Sequence, residues 1–143
     1  MRTQKNTDKN FLYKDLCYQL IGFFFNIRKN YGPGQKEIVY ANLITEQLKN
    51  NNILFEREKT INIRSIESGK VIGTYRPDFL IDNKILLEIK SSIITTSQNE
   101  KQLYYYLRNS KYEVGYLINF STPELYLKRI IYTNNRKPFL RSA

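Results

Sequence analysis

Apolar positions Leu12, Leu16, Leu20, Phe23, Phe24 and Ile27 recur at helical spacing, which predicts a first helix over about residues 8–30 with Asp8 as its N-cap. Tyr31-Gly32-Pro33-Gly34 ends it, because glycine supplies a left-handed cap and proline cannot continue the hydrogen-bond ladder. A second helix is expected up to residue 50, with Glu37, Tyr40, Ile44 and Leu48 on one broad face and Ala41 beside them. Partial alternation through Ile61, Ile63 and Ile66 gives residues 55–66 strand character, and Ser68-Gly69-Lys70 reads as a turn. Strands over 71–81 and 85–89 follow, joined by Asp82-Asn83-Lys84. Ser97-Gln98-Asn99-Glu100 has the form of a capping box and predicts a third helix over 98–109. Residues 113–120 and 125–132 read as two further strands. The order implies an α/β fold, a mixed central β-sheet flanked by helices.

The hairpin in the middle of this pattern carries the chemistry. If Asp82, Asn83 and Lys84 form a three-residue loop, Ile81 pairs with Ile85 and Asp78 falls opposite Glu88 on the same face. A two-residue loop would set them on opposite faces. Side chains alternate along a strand, so Lys90 shares the face of Glu88 while Ile89 points the other way. Two adjacent carboxylates repel, and a partly buried pair needs a proton or a cation. Mg²⁺ suits a ligand set made only of oxygens. The competing reading is an exposed strand pair with a solvated ion pair, since a Glu-x-Lys triplet by itself arises by chance about once in a few hundred residues.

Composition narrows the chemistry further. At 143 residues, with 41% hydrophobic and 14% aromatic residues, the chain fits one compact domain, expected over residues 8–132 and followed by a loose, basic tail over 133–143. Cys17 is the only cysteine and there is no histidine, which excludes disulfides within the chain, zinc knuckles, Ser-His-Asp triads and His-ligated zinc. Hydrolytic chemistry must then run on carboxylates, Lys, Tyr and a hard cation. The formal net charge of +10 favours a polyanionic partner, nucleic acid first, although abundant Lys, Asn, Ile and Tyr are also what an AT-rich genome produces. The apolar run over 20–27 is too short to span a bilayer, and Asp8, Lys9, Asn10 and Asp15 precede any apolar stretch, so no membrane association and a cytoplasmic location are expected. Phe23, Phe24 and Phe25 form either core or an interface, which leaves a homo-oligomer or protein partner open.

Pro77-Asp78 followed by Glu88-Ile89-Lys90 resembles the catalytic hairpin of the PD-(D/E)XK nuclease superfamily. Gly34-Gln35-Lys36-Glu37-Ile38-Val39-Tyr40 resembles the motif of its bacterial GxxExxY branch, and Phe55-Glu56-Arg57-Glu58 and Gly73-Thr74-Tyr75-Arg76 are similar to that branch's strands. The resemblance covers about residues 11–132 and implies a restriction-endonuclease-like core. It makes Glu37 the helix glutamate that completes a metal site, and matches Gln102 and Tyr106 to a Gln-x-x-x-Tyr element of several branches.

The expectation is therefore a Mg²⁺-dependent nuclease, with Mn²⁺ as a substitute, that hydrolyses phosphodiester bonds in nucleic acid, DNA foremost. Asp78, Glu88 and the backbone carbonyl of Ile89 would bind the ion, with Glu37 joining directly or through water. Lys90 would orient or help deprotonate the attacking water, Gln102 would position water or phosphate, and Tyr106 would stack near the strand path. Arg57, Lys59, Arg76, Lys101 and Arg108 are the candidate contacts to the nucleic-acid backbone. The alternatives are a nucleic-acid-binding module without turnover and a protein-interaction domain whose positive charge is compositional.

Overall fold

The computed structural model describes residues 11–141, without the side chain of Arg141. The expected N-cap, Asp8, lies outside the described residues. Among the described residues two helices come first, α1 over Lys14–Tyr31 and α2 over Glu37–Asn50. The apolar stripe explains both: Cys17, Leu20, Phe23, Phe24 and Ile27 of α1 and Tyr40, Ala41, Ile44 and Leu48 of α2 are buried. Phe25 is exposed, so the three consecutive phenylalanines divide between core and surface.

Seven strands follow: β1 Phe55–Arg57, β2 Ile61–Arg64, β3 Val71–Tyr75, β4 Phe79–Ile81, β5 Ile85–Lys90, β6 Val114–Asn119 and β7 Tyr126–Ile131, with α3 over Ser97–Arg108 between β5 and β6. Five of them form the central sheet in the order β1-β4-β5-β6-β7, while β2 and β3 make a separate ribbon. Only the β5–β6 pair is parallel, as a helical crossover requires. The sheet is thus mixed and flanked by helices. Phe79, Ile81, Ile85, Leu87, Ile89, Tyr116 and Ile118 pack with α1 and α2 on one face. Leu80, Leu86 and Leu117 pack with Leu103 and Leu107 of α3 on the other.

Two expected strands are each broken in two. The single segment 55–66 splits into β1 and β2 because Glu58 takes φ 53°, a left-handed conformation that turns the chain out of the central sheet. The single strand 71–81 splits at Arg76-Pro77-Asp78, where proline has no N–H to donate, and β3 and β4 enter different sheets. The capping box is not formed either: Thr96 is the N-cap of α3, Ser97 lies inside the helix, and no side chain caps it.

Of the stretch expected to run loose, residues 133–141 are tied to the domain, and residues 142–143 lie outside the described residues. Asn134–Arg136 forms a 3-10 turn and Pro138–Arg141 a short helix, α4. Between them Lys137 is buried, and its ammonium donates to Ser110 O at 2.8 Å, Tyr112 O at 2.7 Å and Asn134 Oδ1 at 2.7 Å. Burial pushes its pKa down to about 8, which leaves it charged at neutral pH with three acceptors for three N–H groups. Among the described residues, no helix is long and apolar enough to cross a membrane.

Candidate active site

The hairpin register matches the three-residue loop. Ile81 pairs with Ile85, Leu80 with Leu86 and Phe79 with Leu87, so Asp78 stands one step beyond the ladder, level with Glu88. Asp82 and Asn83 take φ 51° and 54°, and Lys84 N donates to Ile81 O at 2.9 Å, the conditions of a primed turn. Asp78 Oδ2 accepts the backbone N–H of Ile89 at 2.6 Å, which fixes the carboxylate across the end of the hairpin.

Glu37 reaches the same end from the other side. Gly32 and Gly34 take φ 70° and 93°, conformations that glycine adopts without steric cost, and turn the chain sharply between α1 and α2. The Tyr40 hydroxyl donates to Gly32 O at 2.6 Å and accepts Gln35 N at 3.1 Å. Ser91, the residue after β5, donates its hydroxyl to Gln35 O, and Gly34 N donates to Ser121 Oγ at 2.9 Å. These bonds anchor the first turn of α2 beside the C-terminal end of β5.

The result is a cavity of about 280 Å³ lined by Glu37, Ile38, Ala41, Arg57, Glu58, Asp78 and Ile89. Asp78 is pushed above the usual carboxylate range, first by burial and further by the negative charges of Glu37 and Glu58; the Ile89 amide and Lys90 oppose the shift. Glu88 rises from an ordinary 4.5 to about 7, first through burial and then through Asp78, against the pull of Tyr75 and Lys90. Asp78 thus feels the charge of Glu37 while Glu88 feels that of Asp78.

The three carboxylates do not close around one point. Among the described residues, no three Asp, Glu, Cys or His side chains converge closely enough to hold a metal ion. The reason is topological. Glu37 comes from the α1–α2 side, whereas Glu88 alternates with Leu87 and Ile89 and points to the α3 side, where the Tyr75 hydroxyl donates to its Oε1. Lys90 shares that face by alternation and is half-buried.

Gln102 and Tyr106 do not line the cavity. Gln102 Nε2 donates to the Tyr106 hydroxyl at 3.1 Å, and the Tyr106 ring stacks on Tyr75 with centroids 3.6 Å apart and planes 12° apart. Of the candidate basic contacts, Arg57 lines the cavity, bonds Asn42 Oδ1 at 2.8 Å and lies over Phe79. Arg76 donates to Glu58 O at 3.3 Å. Lys59 pairs with Glu56 at 3.1 Å and lines a larger groove of about 510 Å³, with Arg64 and Lys111, that shares no residue with the carboxylate cavity. Lys101 and Arg108 lie on α3, away from the cavity lining.

Three residues around the hairpin escape a reading of the sequence. Glu58 owes its place to a backbone turn that no residue pattern announces. Tyr75 ends the strand before Pro77, a position that brings it beside the hairpin. Asn119 is the polar residue in an otherwise apolar, fully buried strand, and such a group must be satisfied. Its Oδ1 accepts Ser92 N and Ser121 N, both at 3.1 Å, and its Nδ2 donates to Ser92 Oγ at 3.1 Å and Thr95 Oγ1 at 3.0 Å, holding the chain just past Lys90.

A family model described as PD-(D/E)XK nuclease superfamily matches residues 14–130. The chain belongs to the PD-(D/E)XK nuclease superfamily. Its mixed five-stranded sheet with helices on both faces agrees with that fold. A solved structure titled "Crystal structure of SSO0001" is similar at 25% identity and TM-score 0.51, over 73% of this chain and 54% of that one. The PD-(D/E)XK chain therefore spans about half the length of that structure. No curated protein matches it. Pro77-Asp78 and Glu88-Ile89-Lys90 spell the pattern for which the superfamily is named.

Proposed function

We propose that this protein is a metal-dependent nuclease that hydrolyses phosphodiester bonds, with DNA as the expected substrate and the GxxExxY motif around Glu37 marking its branch of the superfamily. The observation that carries the reading is the hairpin register, with Asp78 level with Glu88 and its carboxylate on the Ile89 amide. The donors are all oxygen, the chemistry that suits a hard divalent cation, Mg²⁺ or Mn²⁺, and both half-buried carboxylates resist ionisation in a way that a cation drawn between them would relieve. Asp78, Glu88 and the Ile89 carbonyl would hold the ion, and Glu37 would join directly or through water. When bound, the ion supplies Lewis-acid polarisation of a phosphate oxygen and a more acidic water.

The residues around it have separate roles. Lys90 orients the attacking water and offsets phosphate charge from the Glu88 side of β5. Arg57 lines the cavity and supplies a cation that would meet an incoming phosphate. The dispersal of the carboxylates favours one rival, a nucleic-acid-binding module that has kept the scaffold without turnover. Both readings meet one experiment: single- and double-stranded DNA and RNA are incubated with Mg²⁺ or Mn²⁺ and wild type, Asp78→Ala, Glu88→Ala or Lys90→Ala. Loss of at least about a hundredfold in each variant is expected for groups that act on the transition state. Equal degradation by all four proteins would sink the site, and binding in EDTA without cleavage in Mg²⁺ or Mn²⁺ would establish the module.

A further inference from the structure

The groove of about 510 Å³ lies outside the carboxylate cavity and has a composition of its own. Lys59, Arg64 and Lys111 line it, and no acidic residue does. Glu56 offsets Lys59 at 3.1 Å, so the positive surplus falls on Arg64 and Lys111. The backbone of Arg64 is fixed by two bonds with Asn109, and its guanidinium gives one N–H to Gly69 O at 2.9 Å. Lys111 is exposed. Phe139 and Leu140 of α4 add apolar surface to the same groove. Lys137 fastens these parts together: just before α4 begins, its buried ammonium bonds the carbonyls of Ser110 and Tyr112, the residues on either side of Lys111, at 2.8 and 2.7 Å. The groove also follows directly on the cavity along the chain. Arg57 and Glu58 line the cavity, whereas Lys59, Thr60 and Ile61 line the groove. Two extended residues reach at most about 7 Å, which bounds the separation of the Arg57 and Lys59 Cα atoms.

We propose that this groove is a binding site for a single-stranded segment of nucleic acid, with Arg64 and Lys111 on its phosphates and Phe139 and Leu140 against an unpaired base. The inference rests on the nuclease reading above, which makes nucleic acid the anion. Its volume falls within the ~300–1,000 Å³ of small-ligand sites, room for a nucleotide but not for a duplex. Cations beside apolar and aromatic side chains suit a strand whose bases are open, since every base has a face to set on a ring. A duplex keeps its bases stacked inside and offers the groove phosphates alone. The preferred substrate is then one with an unpaired segment beside the bond to be cut, held next to the cavity by the link through Glu58.

Fluorescence anisotropy in EDTA tests this without turnover. The probes are a labelled single strand of about ten nucleotides and a blunt duplex of the same sequence, with dAMP as competitor. The proteins are wild type, Lys111→Ala, Phe139→Ala and, as a control in the last turn of α1, Lys29→Ala. Lys111→Ala is expected to shallow the logarithmic salt slope for the single strand by about 0.7, the value for one phosphate. Phe139→Ala should weaken the single strand about tenfold while leaving its slope and the duplex unchanged, and Lys29→Ala should match wild type. Should Phe139→Ala fail to fold, read by circular dichroism, the exposed Lys111 decides alone. Single-strand binding like that of wild type in Lys111→Ala and Phe139→Ala, or equal loss for strand and duplex in Phe139→Ala, would overturn the groove and leave the nuclease reading to the hairpin variants. Displacement of the strand by an equal concentration of dAMP would assign the groove to a free nucleotide and overturn the strand. A wild type that binds neither probe overturns the proposal, and the nuclease reading falls with it only if that protein also cleaves neither in Mg²⁺ or Mn²⁺.

Discussion

Glu88 sits in surroundings at odds with its ordinary chemistry. Its pKa is near 4.5 when the chain is unfolded and rises to about 7 in the folded protein, through burial first and Asp78 second. For an acid shifted upward, the contribution to stability is fully present below the unfolded pKa and is lost as pH climbs through the folded one, because the unfolded state then releases the proton first. That window runs from about pH 4.5 to 7, and a shift of this size corresponds to roughly 3 kcal/mol. Asp78 moves in the same direction. The metal-free protein is therefore expected to lose urea resistance as pH rises across that window, with most of the loss absent in Glu88→Gln. Urea midpoints in EDTA at half-unit steps check it. A slope as steep in Glu88→Gln as in wild type would assign the loss to other groups.

At the scale of elements, legibility follows the range of the forces involved. The helices are readable because a stripe such as Leu20, Phe24 and Ile27 is written locally, and the hairpin register follows from three loop residues. The breaks at Glu58 and Pro77 are hidden, although Pro77 itself is visible, because apolar alternation on both sides conceals a change of sheet. The direction of Glu88 is readable from alternation, but its partner Tyr75 arrives on the β2–β3 ribbon, a separate sheet whose approach to the hairpin no local pattern announces. Close approach of α3 to the sheet is equally hidden. A Cβ added at Gly115 of β6 would lie 3.1–3.2 Å from the Leu103 side chain, so the helix rests on the missing side chain. Gly115→Val should therefore destabilise the fold by about 1–3 kcal/mol through overpacking. Leu103→Ala in the same background is expected to restore part of the loss, because it removes the atoms that clash. Equilibrium urea unfolding of the two single variants and the pair measures the coupling, and strictly additive losses would show that Leu103 is not what Gly115 accommodates.

The molecule as a whole carries 23 Lys and Arg against 13 Asp and Glu, and where that surplus sits decides whether it is compositional or functional. Arg57 is the informative residue, since it lines the carboxylate cavity while Lys59 is spent on Glu56 and faces a different groove. If the surplus serves the proposed nuclease, binding of a duplex should weaken steeply with salt, with a logarithmic slope of about −0.9 for each phosphate neutralised. Arg57→Ala should then shallow the slope by about one, whereas Lys29→Ala, at the exposed C-terminal turn of α1, should leave it alone. Fluorescence anisotropy of a labelled duplex in EDTA separates the cases. Compositional charge predicts a slope that both substitutions change alike or not at all, because a diffuse field has no preferred contact. A slope that only Arg57→Ala alters would mean that the duplex docks with its backbone at the mouth of the cavity, in reach of Asp78, and would join the charge of the whole chain to the chemistry of one hairpin.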